Sequence, residues 1–429
     1  MVISLSSVEV TAQVSRSAQR SYEKALDAYA VKDFSLTIAE LDKAVKKSPD
    51  YALAWFLLAQ THRDLSSDSI AIIHLKRALN IDDSLYKKGW LELAELFWIS
   101  GDYDSGIAAL DMVVKKHREL KQYKWVRAGL EFSVVAVKSP MPLSVITPLK
   151  GEVNSIRPEY FPTMELSGKR MVFTRLVQSR NNPSGQEEFF SSSLIDGVWC
   201  EVSPLKGINT MFNEGASSIS GNGKTLIFTS CATPRDGFGD RVGAGSCDLF
   251  ESHYDTQSKS WSLGENIGAP NSNSWESQPT LSSDGNFLVF ARALHVRGKG
   301  SDLFGAIRGK DKVWGKAFPL PGKINTPYEE ESPFLHPDGQ TIYFSSNGHP
   351  GLGGLDIFVS RKQSNGEWGQ PENLGYPLNT HNDENSLMVE PGGVFAIFAS
   401  DRSNPAGDLD LLRVELPPEA RPISVNALT

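Results

Sequence analysis

Cysteine is scarce in this chain, since only Cys200, Cys231 and Cys247 occur among its 429 residues. Three cysteines are too few for a disulfide-rich scaffold, and their spacing matches no zinc motif. The fold must therefore rest on packed cores, and a chain of this length is long enough to build two or three of them.

Long apolar stretches and an excess of basic residues are also missing. No segment approaches the roughly 18 apolar residues that a membrane-spanning helix requires. The chain has 43 Lys and Arg against 51 Asp and Glu, and residues 1–139 are nearly neutral, so the net charge of −8 belongs to the remainder. This balance disfavours nucleic-acid binding, which needs a clustered excess of Lys and Arg.

The signatures of common enzymes are missing as well. The sequence contains no G-x-S-x-G nucleophile elbow, no H-E-x-x-H zinc motif and no phosphate-binding P-loop. Its eight histidines are scattered, and none recurs at a repeated position. These absences favour a protein that is not an enzyme.

The N-terminal third of the chain contains a helical repeat. The segment SGDYDSGIAAL matches the earlier segment KDFSLTIAEL, and the offset between them is two tetratricopeptide periods plus one inserted residue. Large and small residues follow the tetratricopeptide pattern at Trp55, Ala59, Ala71 and Ala78. With KQYKWVRAGLEFSVVAVK as a terminal capping helix, residues 16–138 are predicted to form a three-repeat tetratricopeptide domain.

A stack of such repeats has a concave face that commonly holds a peptide or a partner helix. The candidate groove residues are exposed-type side chains on the first helices of the repeats, namely Gln60, Arg63, Glu92 and Glu95. The alternative is that these side chains form an ordinary solvated helix surface.

Residues 139–416 contain five copies of a second repeat. Each copy has a glycine turn and then an apolar run, in the sequences SGKRMVF, NGKTLIF, DGNFLVF, DGQTIYF and GGVFAIF. A later strand opens at a constant interval with Asp248, Asp302, Asp356 and Asp410. A unit of this size, with four short strands and glycine turns, is typical of a β-propeller blade.

The ends of this region indicate how the ring closes. An outer strand is marked in four blades by Trp199, Trp261, Trp314 and Trp368. The fifth blade lacks such a strand, but PLSVITPLKGEVNS, just after the helical repeats, resembles the outer-strand segments. We expect this segment to complete the last blade, which gives five blades without an open sheet edge. Six blades are the alternative.

The predicted fold class is therefore multidomain, an α-solenoid followed by an all-β propeller. Residues 1–15 are interpreted as an N-terminal tail or the remnant of a secretory signal, because MVISLSSVEVTAQ is mildly apolar and ends in small residues. Residues 417–429 are interpreted as a C-terminal tail or a linker.

Each blade also begins with a glutamate, in the series Glu159, Glu214, Glu276, Glu330 and Glu384. At the start of the innermost strands, five carboxylates would stand near one mouth of the central channel and could bind a cation such as calcium, or a basic partner segment. The alternative is structural, with each glutamate accepting a hydrogen bond from the neighbouring blade, helped by Arg175, Arg292 and Arg402. We favour the structural role, because a repeated residue usually serves the repeated fold. The blade aspartates are expected to cap backbone amides.

Two glycine-rich loops, DGFGDRVGAGS and NGHPGLGG, fall between the second and third strands of their blades. They lack the acidic pattern of a calcium loop and the context of a phosphate loop, so they are interpreted as binding-surface loops. Cys231 ends the strand before the first loop and Cys247 begins the strand after it, so the two could form a disulfide in an oxidising compartment. Cys200 is expected to be a buried free thiol.

The repeat SPFLHPDGQTIYFSSNGHPGLGGLDIFVS resembles the WD40-like repeats of TolB, whose propellers have six blades, and more closely those of Bacteroidetes outer-membrane-associated proteins. The order of domains, tetratricopeptide repeats and then a propeller, is similar to that of the PorE-like proteins of the type IX secretion system, which belong to the OmpA family. The resemblance covers about residues 16–429. In that group a carboxypeptidase-regulatory-like domain and an OmpA-like peptidoglycan-binding domain usually follow, so peptidoglycan binding would require a domain that this sequence does not include.

The resemblance implies a periplasmic, outer-membrane-associated scaffold in type IX secretion or the linked gliding machinery. Its partners would be outer-membrane barrel and periplasmic ring proteins, with no nucleic acid, no membrane span and no cofactor apart from the calcium considered above. Two alternatives remain, a TolB-like propeller with another envelope role and a five-bladed-propeller glycoside hydrolase. Against the hydrolase, such enzymes use different carboxylates in different roles, whereas here the same glutamate recurs in every blade.

Overall fold

The computed structural model describes residues 14–117, 121–142, 145–178, 185–293, 300–402 and 408–423. The expected tail or signal remnant therefore lies outside the described residues, except for residues 14 and 15. The chain divides into two compact units, one up to Val134 and one from Val135 onward. In the described ranges, no helix combines the length and the apolar character needed to cross a membrane.

The N-terminal part of the described chain contains seven helices. They are α1 (Arg16–Ala30), α2 (Phe34–Lys47), α3 (Ala52–Asp64), α4 (Asp68–Ile81), α5 (Gly89–Ile99), α6 (Tyr103–Lys116) and α7 (Tyr123–Lys138). The first six form three helix pairs with the expected spacing, and Ala44 and Ala78, the small residues of the repeat, are fully buried. The predicted helical repeat is confirmed.

The match between the second and sixth helices corresponds to a shared helix start. Asp33 accepts the Leu36 N–H at the start of α2, and Asp102 accepts the Ser105 N–H at the start of α6. An aspartate at this position satisfies a backbone donor that the helix itself leaves unpaired. The two segments therefore resemble each other because both must end a turn and begin a helix.

The second unit is a propeller whose five blades are antiparallel sheets in the described chain. Blade one consists of β2 (Glu159–Met164), β3 (Arg170–Val177), β4 (Gln186–Ile195) and β5 (Val198–Pro204). Blade two consists of β6 (Asn213–Ile219), β7 (Thr225–Cys231), β8 (Cys247–Asp255), β9 (Ser260–Trp261) and β10 (Glu265–Asn266). Blade three consists of β11 (Glu276–Leu281), β12 (Phe287–Ala293), β13 (Ser301–Ile307) and β14 (Phe318–Pro319). Blade four consists of β15 (Glu330–Leu335), β16 (Thr341–Ser346), β17 (Asp356–Arg361) and β18 (Glu372–Asn373).

Blade five combines both ends of the propeller sequence. It contains β19 (Asn385–Val389), β20 (Phe395–Ser400), β21 (Asp410–Glu415) and the early strand β1 (Thr147–Pro148). Thr147 lies opposite Arg413 and Pro148 opposite Leu412 in antiparallel pairing. The expected closing strand and the count of five blades are confirmed.

The blades pack through aromatic residues at repeated positions. The second strand of each blade contributes one phenylalanine that is at most 1% exposed, in the series Phe173, Phe228, Phe290, Phe344 and Phe398. The outer-strand tryptophans are also buried, and Gly151 lies against the backbone of Trp199 with a φ of +115°. A Cβ at Gly151 would lie 1.9 Å from the Trp199 oxygen, so only glycine fits this contact between the first and last blades.

A repeated asparagine, which the sequence reasoning did not single out, links neighbouring blades. Its five copies are Asn154, Asn209, Asn271, Asn325 and Asn379. Each side-chain amide accepts the N–H and donates to the C=O of one residue on the third strand of the preceding blade, at 2.8–3.0 Å. The partner of Asn154 is Leu411 in blade five, so the same contact also helps to close the ring.

Part of the segment interpreted as a C-terminal tail or linker packs on the propeller. The Tyr343 hydroxyl donates to the Ala420 carbonyl at 2.7 Å, and Arg361 donates to the Arg421 carbonyl at 3.1 Å. Ala420 is 2% exposed. Residues 417–423 therefore belong to the propeller structure, and residues 424–429 lie outside the described residues.

Replacing Asn379 with alanine is expected to destabilise the propeller by about 1–3 kcal/mol. The change leaves the buried Ile357 N–H without its partner, which costs roughly 1–3 kcal/mol, whereas the Ile357 carbonyl still accepts the Leu374 N–H. Urea unfolding followed by tryptophan fluorescence measures the loss. Asn365→Ala, an exposed asparagine of the same blade, is the control. An equal effect of both substitutions would contradict the linking role.

Candidate functional site

The five repeated glutamates lie inside their blades, and none is exposed to solvent. Each accepts two hydrogen bonds from the Ser or Thr four residues earlier, one from its N–H and one from its hydroxyl. In blade two, the Thr210 N–H lies 2.9 Å and its hydroxyl 2.5 Å from Glu214. These buried, hydrogen-bonded positions do not form the cation-binding ring considered for the channel mouth, and they fit the structural role that the sequence favoured. The Ser and Thr donors belong to the connection that enters the same strand, whereas the structural alternative placed them in the neighbouring blade.

Four of these glutamates also contact an arginine. The expected pairs are present, with Nε of Arg175 2.7 Å from Glu159, Nε of Arg292 2.7 Å from Glu276 and a terminal nitrogen of Arg402 2.6 Å from Glu384. In blade two the partner is Arg241, at 2.6 Å from Glu214. Sequence reasoning missed Arg241 because it comes from a loop without a repeated spacing. The signal was Ser230, which stands where blades one and three have Arg175 and Arg292, so the cation of blade two had to come from elsewhere.

In blade four a histidine takes the place of the arginine. The four arginines each donate to the carbonyl just before the linking asparagine, at 2.5–2.8 Å. His349 Nε2 lies 2.8 Å from the equivalent Ile324 carbonyl, and its ring packs between Phe344 and Phe358 at 6.0 and 5.2 Å. Glu330 receives a further hydrogen bond from the Ser346 hydroxyl at 2.8 Å. Blade four is therefore held by a group that can titrate near neutral pH.

Burial determines the protonation behaviour of these groups. Burial raises the pKa of Glu384 to about 7, although Arg402 and the hydrogen bonds from Thr380 oppose the shift. Burial likewise raises the pKa values of Glu159 and Glu330. Burial lowers the pKa of His349, and its hydrogen bond to the Ile324 carbonyl partly opposes this.

The structure offers no calcium site at these glutamates. In the described part of the chain, no group of three or more His, Cys, Asp or Glu side chains could hold a metal ion. Two of the four blade aspartates cap backbone amides as expected, since Asp248 accepts the Ala244 and Gly245 N–H groups and Asp356 accepts that of Leu352.

The two glycine-rich loops connect the second and third strands, as predicted, but they also contribute buried residues. Arg241 is 6% exposed and His349 is 8% exposed. Cys231 and Cys247 lie opposite each other in β7 and β8 and form a disulfide that brackets the loop carrying Arg241. Cys200 is free and partly exposed, whereas the sequence predicted a buried thiol.

Replacing Arg241 with methionine is expected to destabilise the propeller by about 3–5 kcal/mol, because Glu214 would keep a buried charge without its cation. Adding Glu214→Gln should recover part of the loss. Arg235→Met, in the same loop with its side chain 92% exposed, is the control and should change stability by less than about 0.5 kcal/mol. Chemical unfolding at pH 7.5 gives the free energy of unfolding of the wild type and the three variants. If the double variant is no more stable than Arg241→Met, the pairing of Arg241 with Glu214 is contradicted.

His349 should make the propeller less stable in mild acid. Its pKa is lower in the folded chain than in the unfolded chain, so the unfolded state binds more protons between the two values. Its contribution is complete above the unfolded pKa of about 6.5 and is lost as the pH falls through the folded value. Urea unfolding at pH 7.5 and pH 5 should show a larger decrease for the wild type than for His349→Gln. The exposed His381→Gln variant should behave like the wild type, and identical decreases in all three would contradict the role of His349.

The helical unit contains a cleft of about 290 Å³. Its lining is Tyr22, Leu53, Phe56, Leu57, Ala59, Gln60, Arg63, Leu75, Leu85, Tyr86, Glu92 and Leu96. Three of the four predicted groove residues thus lie together in its wall. The fourth, Glu95, is tied to it by Arg63, whose guanidinium lies 3.5 Å from Glu92 and 3.9 Å from Glu95. Burial raises the pKa of Glu95, and Arg63 opposes the shift.

The sequence reasoning found the polar part of this cleft and missed the apolar part. Phe56, Leu57 and Tyr86 provide much of the wall, and the Tyr86 hydroxyl donates to Glu92. Helical spacing alone does not distinguish an apolar residue of the core from one that lines an open cleft. The arrangement suits a ligand that buries apolar side chains beside a polar rim.

The propeller channel is narrow. Two constrictions, each of about 30 Å³, are lined by all five innermost strands. At the first, each strand has a residue with left-handed backbone two positions after the buried glutamate, in the series Phe161, Ala216, Gln278, Ser332 and Ser386. These residues lie in a β-bulge, where the strand register shifts. The bulges place small, apolar and amide side chains in the channel wall.

No protein-family model matches the sequence, and no curated protein matches it. Among solved structures, TolB from Acinetobacter baumannii is similar at 16% identity and a TM-score of 0.37, over 61% of this chain and 55% of that protein. The endo-arabinase from Bacteroides thetaiotaomicron VPI-5482 is similar at 14% identity and a TM-score of 0.42, over 63% and 97%. The P58(IPK) TPR domain is similar at 20% identity and a TM-score of 0.27, over 28% and 34%.

This chain spans about half the length of the TolB structure. Likenesses at these identities and TM-scores carry no argument about activity or partners. The fold itself defines the class of protein, a helical-repeat unit followed in the chain by a five-bladed propeller.

Proposed function

We propose that this chain is a non-catalytic protein-interaction scaffold of the cell envelope. One observation carries the proposal. The carboxylates that recur in every blade are buried and hydrogen-bonded within the blade, while the polar and apolar side chains of the helical cleft remain open to a ligand. The repeated chemistry of the propeller therefore serves its architecture, and the accessible surface is suited to binding.

The location we propose is the periplasm, in association with the outer membrane. The disulfide between Cys231 and Cys247 supports an oxidising compartment, because such bonds persist in the periplasm and are rare in the cytosol. Association with the outer membrane rests on the resemblance of the repeats to those of Bacteroidetes envelope proteins.

Within the envelope, we propose a role in type IX secretion or the linked gliding machinery. In this role the helical cleft docks one protein and a face of the propeller docks another, with outer-membrane barrel and periplasmic ring proteins as the partners. The order of repeats and propeller supports this assignment by resemblance. A TolB-like propeller with a different envelope role is the alternative, and the identity of the bound partners separates the two.

The glycoside hydrolase alternative is disfavoured by the channel. Sites for small molecules commonly measure about 300–1,000 Å³, whereas the constrictions here measure about 30 Å³ each. The repeated glutamates, which would be the natural catalytic candidates, are fully buried and hydrogen-bonded within their blades. A sugar ring cannot reach them without rearrangement of the blades.

The scaffold is tested by affinity capture with the full chain as bait in envelope extract, followed by mass spectrometry. We expect capture of secretion-system barrel or ring proteins, and we expect Arg63→Ala, in the cleft, to reduce the amount by at least about fivefold, or roughly 1 kcal/mol. Arg77→Ala is the matched control, because Arg77, on α4, forms a comparable exposed ion pair with Asp50.

Both arginine variants should remain folded, since exposed ion pairs contribute little to stability. If Arg63→Ala and Arg77→Ala capture equal amounts of the partners, the cleft is not their docking site. If the bait retains no envelope protein and the purified chain hydrolyses arabinan or another glycan, the hydrolase replaces the scaffold.

A further inference from the structure

A cavity of about 260 Å³ lies at the seam of the propeller, where blades five and one meet. Leu194 and Trp199 of blade one form part of its wall, together with Leu149, which directly follows β1, and Arg413 of β21. A cavity of about 150 Å³ with apolar walls is large enough to bind benzene. This space, which we call the seam cavity, can therefore hold one substituted aromatic ring.

The next blade boundary, between blades one and two, has the same backbone arrangement as the seam. Residues 148–151 and 204–207 both read PLKG. The Trp199 N–H donates to the lysine carbonyl of the first copy at 3.1 Å, and the Trp261 N–H donates to that of the second copy at 2.9 Å. The side chains at the two boundaries can therefore be compared position by position.

The two boundaries differ in the residue that lies opposite the tryptophan. Leu194 pairs with Trp199 across β4 and β5, and Tyr254 pairs with Trp261 across β8 and β9. The Tyr254 ring lies 5.4 Å from the Trp261 ring, and the Arg170 guanidinium of blade one lies 5.4 Å from the Tyr254 ring. An aromatic ring thus joins blades one and two at this position, whereas at the seam the cavity lies beside a leucine.

Blades three and four also cover their tryptophans from the equivalent position. Arg308 lies opposite Trp314 with its guanidinium 4.3 Å from the ring, and the Lys362 ammonium lies 5.9 Å from the Trp368 ring. Blades two to four therefore each place a ring or a cation on the tryptophan. In blade one this position has only the aliphatic Leu194.

The charged residues of the seam cavity have a net positive charge. Arg413 donates two hydrogen bonds to Glu390, at 2.6 and 3.2 Å, so these two charges balance. Lys150, which is exposed, is the third charged residue of the wall. A ligand with a carboxylate beside its ring would complement this charge.

We propose that the seam cavity binds an aromatic side chain of a partner protein, from a Phe, Tyr or Trp residue with an Asp or Glu as its neighbour. The ring lies beside Leu194 and Trp199, in the way that Tyr254 lies beside Trp261, and tilted ring pairs of this kind are favourable. The carboxylate of the neighbouring residue approaches Lys150. This inference rests on the proposed scaffold function and names the chemistry of one partner.

The test uses saturation-transfer NMR with the full chain and the peptide acetyl-Gly-Asp-Phe-Gly amide. We expect transfer to the ring protons and a Kd below about 5 mM, and the peptide with Ala in place of Phe should bind at least about fivefold more weakly. Leu194→Tyr gives blade one the ring that blade two has. This variant should bind the Phe peptide at least about tenfold more weakly, which corresponds to about 1.4 kcal/mol.

Val198→Tyr is the matched control, because Val198 lies on the same hairpin, next to Trp199 but outside the cavity wall. It should bind the Phe peptide like the wild type. Lys150→Glu is a second variant, at an exposed position where folding should be preserved. It should weaken binding of the Asp-Phe peptide and strengthen binding of a peptide with Lys in place of Asp.

Thermal unfolding checks that Leu194→Tyr is folded, and the Ala peptide and Lys150→Glu decide the question if it is not. The proposal is overturned if the Phe peptide does not bind up to about 10 mM, if the Ala peptide binds equally, or if folded Leu194→Tyr binds as well as the wild type. If the Phe peptide fails while affinity capture of envelope proteins succeeds, the scaffold stands and only the seam cavity proposal fails.

Discussion

A buried carboxylate in every blade is the constraint on which the propeller depends. An ionised group removed from water is costly unless hydrogen bonds and an opposite charge compensate it. The Ser or Thr four residues before the glutamate donates two hydrogen bonds to it and so fixes the connection that enters the strand. In blade two, Arg241 donates both to Glu214 and to the Ile208 carbonyl, which directly precedes the linking asparagine. One carboxylate thus orders the connection, the strand start and the contact with the preceding blade.

The spacing of the repeats was sufficient to predict the helix pairs, the blades and the closing strand. It was insufficient to predict which way the glutamates point. The bulge after each glutamate, for example between Tyr160 and Thr163, shifts the register, so the alternation of side chains along a strand cannot be followed across it. Arg241 and His349 were missed because they lie in loops of unequal length. The asparagines were missed because they lie in the connections between blades, outside the strand pattern that defines the repeats.

Only the polar part of the helical cleft could be predicted from the sequence. Gln60, Arg63 and Glu92 could be placed in a groove because polar residues on the first helix of a repeat face outward from the core. The apolar wall around Phe56 and Tyr86 could not, since its residue types are the same as those of the core.

The position of β1 has a mechanical consequence. The ring is covalently continuous from blade to blade except at one seam, where two residue pairs of β1 and the Asn154 amide hold blade five to the start of the propeller. The polypeptide that follows α7 enters the propeller through this strand. Tension carried along the backbone from the helical repeats would therefore reach the seam before any other strand. The hydrogen bonds and the buried apolar cluster that joins blades five and one, which includes Leu149, Phe173 and Leu411, would resist the opening of the ring without any covalent link.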